Sequence, residues 1–163
     1  RFQDIHGGSI RFYIQKKPRQ ERSVKELLGY EKKSGFLSKN KYDEFTKGVE
    51  MHKTKFIELL RSLKSKGKRI AGYGAAAKAN TMLNYCKLGP EKIEYLAECS
   101  KLKINKYSPG MHIKVEDEEK IFREQPEYGL LLSWNLKNII VPKLRNKGYK
   151  GKIIIPVPKI EIV

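Results

Sequence analysis

Acidic residues are scarce in this chain: 18 Asp and Glu stand against 35 Lys and Arg among 163 residues, a formal net charge of +17. That imbalance draws phosphorylated ligands, nucleic acid or anionic surfaces without choosing among them. Most of the excess is lysine along expected helices and turns, as in Lys64-Ser65-Lys66-Gly67-Lys68 and Lys147-Gly148-Tyr149-Lys150-Gly151-Lys152, so it reads first as a solvated basic surface. Few aromatics interleave with these lysines and no recognition motif is evident, which ranks nucleic acid last among the partners. Cysteine is nearly absent as well. Cys86 and Cys99 lie thirteen positions apart with no CxxC partner, which argues against a zinc ribbon or a redox dithiol and makes a reduced, cytoplasmic setting the expectation. His6, His52 and His112 are isolated, so a histidine-built metal site is not expected. No apolar run reaches about 18 residues and the start lacks a signal-peptide pattern, so no membrane partner is expected.

What is present suffices for one main domain: 39% of the residues are hydrophobic, enough for a core at this length. The chain opens on Arg1-Phe2 within sequence that reads as structured, and the expectation is a piece of a larger protein. Ser9 to Ile14 is rich in strand formers. Ser23 to Lys33 reads as a helix with Ser23 as N-cap and Glu26 completing a capping box, closed by Ser34-Gly35. A helix of about seven turns follows from Tyr42 toward Gly67, with Phe45, Val49, Phe56, Leu60 and Leu63 at helical spacing. Beyond it, strands are expected at 68–73, 93–97, 128–133 and 152–156, with helices at 75–87, 116–125 and 134–147. Such alternation predicts an α/β fold, a Rossmann-like doubly wound and mainly parallel sheet with flanking helices, preceded by a strand and linking helices.

The run Ile70-Ala71-Gly72-Tyr73-Gly74-Ala75-Ala76-Ala77-Lys78-Ala79-Asn80-Thr81 reads as strand, glycine turn and helix start. Gly72 and Gly74 would let the backbone turn and approach an anion, free amides would face it, and Lys78, Asn80 and Thr81 would add donors. The alternative is that the small residues only permit close helix-to-strand packing. Ligands of such sheets bind beyond the carboxyl ends of the strands, where this corner, Glu98 and Trp134-Asn135 are expected to gather.

Four segments in order carry a resemblance over essentially the whole chain: His6-Gly7-Gly8-Ser9-Ile10-Arg11, the run from Gly72 to Tyr85, Tyr107-Ser108-Pro109-Gly110-Met111-His112-Ile113, and Leu130-Leu131-Leu132-Ser133-Trp134-Asn135. Together they resemble the C-terminal region of S-adenosylmethionine-dependent sugar C-methyltransferases. The resemblance implies residues 1–17 as the last strand of a methyltransferase domain, 18–66 as linking helices and 67–163 as a Rossmann-like substrate-binding domain. It implies S-adenosylmethionine bound mainly by a central domain and zinc by an N-terminal domain, both outside this sequence, so this piece alone is expected to be inactive. In that family a nucleotide-linked 4-keto sugar loses the proton beside its ketone. A histidine titrating near neutrality suits the task, and His6 matches the family's histidine beside paired glycines; the alternative is a histidine that merely caps a strand. Ile5 stands where some members carry an acidic residue. Tyr73, Gly74, Ala75, Ala76 and Lys78 would hold the nucleotide diphosphate, and Glu98, where the family tends to show Asp, would take a ribose hydroxyl. A loop through Tyr107, Pro109 and His112 would cover the nucleotide or sugar, with lysine stems packed on the surface as the ordinary reading of Lys101, Lys103 and Lys106. Trp134 and Asn135 would stack on or bond to substrate, unless Trp134 only packs the core. The alternative of another class is a stand-alone nucleotide- or dinucleotide-binding module without catalysis.

Overall fold

The computed structural model describes residues 2–3, 8–17 and 19–163. The chain divides into two compact units, Arg1–Met51 and His52–Val163. In the first, β1 (Phe2–Gln3) pairs antiparallel with β2 (Ser9–Ile10), so the expected strand to Ile14 ends four residues early. Helix α1 (Arg22–Lys33) buries none of its residues. Its N-cap is Glu21 with no side-chain cap bond. The expected capping box does not form, because Arg22 Nε donates to Glu26 at 2.7 Å and Ser23 lies inside the first turn.

Helix α2 (Lys39–Ser65) has 27 residues, about 7.5 turns at 3.6 residues each, and the boundary between the units falls within it. Residues 52–65 therefore serve the second unit as more than a linker: Phe56, Leu60 and Leu63 enter its core. There follow β3 (Ile70–Tyr73), α3 (Ala77–Cys86), β4 (Leu96–Glu98), β5 (Val115–Asp117), α4 (Glu119–Glu124), β6 (Tyr128–Leu131), a 3-10 turn at Trp134–Leu136, α5 (Lys137–Asn146), β7 (Lys152–Ile155) and β8 (Glu161–Ile162). The sheet order is β5-β4-β3-β6-β7-β8, parallel throughout except for β8; the sequence reading missed β8 and also β5, most of which falls within the helix expected at 116–125. Counted from β3 this is the 3-2-1-4-5-6 order of the Rossmann fold, with the strand order reversing between β3 and β6.

Strand alternation divides the core between the two faces. Ile70, Leu96, Leu130 and Ile154 meet Phe56, Leu60, Ala79 and Leu83 from α2 and α3. Ala71, Tyr73, Tyr95, Leu131 and Ile153 meet Ile121 of α4 and Leu144 of α5. Gly72 lies on the first face with no room for a side chain: a Cβ there would stand 2.5 Å from Leu96 Cδ2 and 2.9 Å from Leu132 Cδ1. Its small size serves strand packing, which corrects the expectation that it turns the backbone toward a ligand. Among the described residues no helix is long and apolar enough to cross a membrane.

Candidate functional site

The chain leaves β3 through Gly74, whose φ of +91° is a left-handed value that favours glycine, and whose missing Cβ would lie 2.8 Å from Ser133 Oγ. Gly74 N–H donates to Ala97 O at 2.8 Å, tying the turn to the end of β4. Ala76 stays extended and no side chain caps α3, so the helix begins at Ala77, two residues later than expected. Lys78 accordingly sits in the first turn and is exposed.

Glu98 closes β4 with its carboxylate turned inward, and the residue is 8% exposed. Oε2 accepts the Ala75 amide at 2.9 Å and Lys103 Nζ at 3.2 Å, while Oε1 accepts the amides of Cys99 and Ser100, each at 3.0 Å. Burial pushes the carboxyl's pKa up, but the bonds from Ala75, Ser100 and Lys103 together outweigh it and hold it below the usual carboxylate range. The same burial, with the Glu98 contact, raises the Cys99 thiol. With the Cys99 thiol on Oε1 at 3.5 Å, five donors fill the positions a ribose hydroxyl would use, so the carboxylate as it stands orders the protein's own turns.

No helix crosses between β4 and β5. Residues 99–114 instead form a loop pinned at several points. Asn105 N–H donates to Val115 O, and Val115 N–H to Lys106 O. Ser108 N–H donates to Ile113 O, and Ser108 Oγ accepts the Ile113 amide at 3.0 Å. Asn84 Nδ2, from α3, donates to Pro109 O at 2.9 Å and to Asn80 O at 2.8 Å, and the Asn84 side chain occupies the space a Cβ on Gly110 would need.

Between this loop and the start of α3 opens a cleft of about 380 Å³, lined by Ala75, Ala77, Asn80, Lys103, Lys106, Tyr107, Ser108, Pro109 and Val115. Its lining contains two lysines, Lys103 and Lys106, and neither Asp nor Glu. The arrangement suits a polyanion, with small residues at its floor and lysines on its rim.

Of the residues expected at the site, Ala75, Asn80, Tyr107 and Pro109 come together in the cleft lining. Gly74 and Ala76 form the adjoining turn. His112 is exposed, its ring 6.2 Å from that of Tyr107. Lys78 and Thr81 face solvent outside the lining. His6 lies outside the described residues. Lys103 and Lys106, read from sequence as surface lysines, are the cations that line the cleft. A run of seventeen residues without an acid, 99–115, was the available signal.

The expected gathering at the carboxyl edge is partial. Tyr73 points to the opposite face, where its hydroxyl donates to Glu118 Oε2 at 2.6 Å; Lys143 Nζ reaches the same oxygen at 2.9 Å and Lys147 Nζ reaches Oε1 at 2.8 Å. Strand alternation makes this the consequence of Gly72 facing α3, so Tyr73 offers the cleft no side chain. Burial opposes ionisation of Glu118, yet Lys147, Tyr73 and Lys143 bring its pKa down to about 2. Trp134 packs half-buried against the same cluster as Phe122, Ile140 and Val141, and neither it nor exposed Asn135 lines the cleft.

A family model described as the C-methyltransferase C-terminal domain matches residues 4–158. C-methyltransferase NovU of Streptomyces niveus is 31% identical over 164 residues, which cover 98% of this chain and 39% of that protein. The chain thus spans about two-fifths of the length of that relative.

Proposed function

This chain belongs to the C-methyltransferase C-terminal domain family, and from that premise we propose that it is the substrate-holding part of a methyltransferase acting on a nucleotide-linked 4-keto sugar. The observation that carries the reading is the cleft at the carboxyl ends of β3 and β4, whose lining holds Lys103 and Lys106 and no acid. A nucleotide sugar brings a diphosphate with negative charge for the rim and small uncharged rings for the apolar floor.

S-adenosylmethionine supplies the methyl group in reactions of this family, and the cleft does not fit it. That molecule carries a sulfonium and an ammonium, whereas the rim is cationic and the buried carboxylate beside it, Glu98, already has five donors. We therefore assign the methyl donor to the remainder of a longer polypeptide. The described residues also gather no group of three or more His, Cys, Asp and Glu that could hold zinc.

On this reading the cleft positions the sugar, and His6 takes the proton from the carbon beside the ketone, its imidazole becoming imidazolium as the electron pair passes to the carbonyl oxygen of the enolate. A base titrating near neutral pH is matched to that step. In the full-length protein, His6→Ala abolishes exchange of that proton with deuterium from solvent while the protein still binds the nucleotide. Normal exchange in the variant would remove His6 as the base. A module for dinucleotides would bind NAD in preference to nucleotide diphosphate sugars, and a direct competition between the two ligands separates the readings.

A further inference from the structure

We propose that Lys103 is the residue that reads the ligand's diphosphate and that Glu98 is its positioning residue. The inference rests on the reading that the cleft takes a nucleoside diphosphate group, and adds which cation meets it and what holds that cation in place. Lys103 Nζ donates to Ala75 O at 3.1 Å and to Glu98 Oε2 at 3.2 Å. An ammonium has three donors, so one remains uncommitted on a side chain that lines the cleft. Most surface lysines must surrender rotamer freedom to meet an anion, which offsets much of the gain. Lys103 has already surrendered it: a fully hydrogen-bonded, inward-turned carboxylate and the carbonyl of the glycine turn fix its head group beside Ala75 and Ala77, the floor of the cleft.

This assigns Glu98 a task different from the ribose contact expected at the end of the second strand of such folds. Its carboxylate joins the β3–α3 turn through Ala75 to the loop through Cys99 and Ser100, and Lys103 stands where those two pieces meet. Lys101, on the same loop but outside the cleft lining, is the natural control.

The test is titration calorimetry on the full-length protein with thymidine, uridine and guanosine diphosphates and with the unphosphorylated nucleosides. Lys103→Gln raises Kd for the preferred diphosphate about tenfold or more, as expected for loss of a charge-assisted bond, and leaves the nucleoside within about twofold. Glu98→Gln raises it roughly threefold to tenfold and adds little when Lys103 is already Gln, the non-additivity of two residues acting through one contact. Lys101→Gln changes it by less than about twofold. Diphosphate binding by the parent protein with no loss in Lys103→Gln overturns the role of Lys103 and leaves the cleft reading standing. Absence of diphosphate binding by the parent protein overturns both. Additive losses, or equal losses for nucleoside and diphosphate, overturn the positioning role of Glu98; Glu98→Asp replaces Glu98→Gln in the same cycle if the latter does not fold.

Discussion

Glu98 and Glu118 are carboxylates that burial alone would protonate more readily, and both are held below the usual range by bonds that outweigh it, yet the partners differ in kind. On the α3 side of the sheet Glu98 is met by three backbone amides, the Cys99 thiol and one lysine, which fixes the course of two loops beside an open cleft. On the other side Glu118 is met by Tyr73, Lys143 and Lys147, all side chains, which join α4, α5 and β3. A carboxylate held mainly by amides fixes the course of backbone, while Lys103, Lys143 and Lys147 alike make two bonds and keep one donor each. A carboxylate held by side chains joins those side chains and serves packing. Of the two polar clusters, only the first borders the cleft.

The sharpest way to separate the faces is at adjacent residues of β3. Gly72→Val drives a branched side chain into buried Leu96 and Leu132 and costs about 3 kcal/mol of unfolding free energy, the upper part of the range for overpacking a core, measured by denaturant titration. A change of less than about 0.5 kcal/mol, the scale of ordinary surface substitutions, would break the claim that this face is closed.

Glu118→Gln costs about 1–2 kcal/mol at neutral pH, less than the full linkage value because its lysine partners remain partly solvated. The sign follows from the depressed pKa. Glu118 contributes stability that is fully present above its unfolded value of about 4.3 and is lost as pH falls toward its folded value of about 2. The variant's stability is therefore flatter than the parent's between those pH values; parallel acid limbs would contradict the ion-pair account. Tyr73→Phe removes one donor to Glu118 and costs about 1 kcal/mol, with nucleotide binding unchanged, since the hydroxyl faces away from the cleft.

Changes on the cleft side behave in the opposite way. Lys106→Gln leaves stability unchanged within about 0.5 kcal/mol and raises the Kd for a nucleoside diphosphate about fivefold. Lys78→Gln, outside the lining, raises it about twofold through the general field alone. Equal effects at the two lysines would erase the distinction between rim and lining.

The succession of strands and helices was legible because short apolar runs such as Leu130-Leu131-Leu132 and Ile153-Ile154-Ile155 are buried on both faces and stand out from their surroundings. Strands β5 and β8 were not, since Val115–Asp117 and Glu161–Ile162 are three and two residues long and their pairings with β4 and β7 are tertiary facts. The capping box at Ser23 failed because Arg22 engages Glu26, a competition that residue spacing does not reveal. At the site, the glycine turn and the loop through Tyr107 and Pro109 were readable as a pair. The direction of two side chains was not. Tyr73 follows Gly72 by one strand position and so faces away, and Glu98 can turn toward a ligand or toward Ala75 with the same sequence around it. Trp134 is large enough to complete the α5-side cluster, and packing holds it there.

Asn84 and Gly110 share one volume: the amide that donates to Pro109 O fills the space where any β-carbon at 110 would project, and the φ of +81° there already disfavours one. In evolutionary terms the two positions form a single unit of inheritance. A change at Gly110 requires residue 84 to shrink or turn away in the same step, whereas loss of Asn84 removes the clash and still leaves a left-handed backbone that holds the glycine in place.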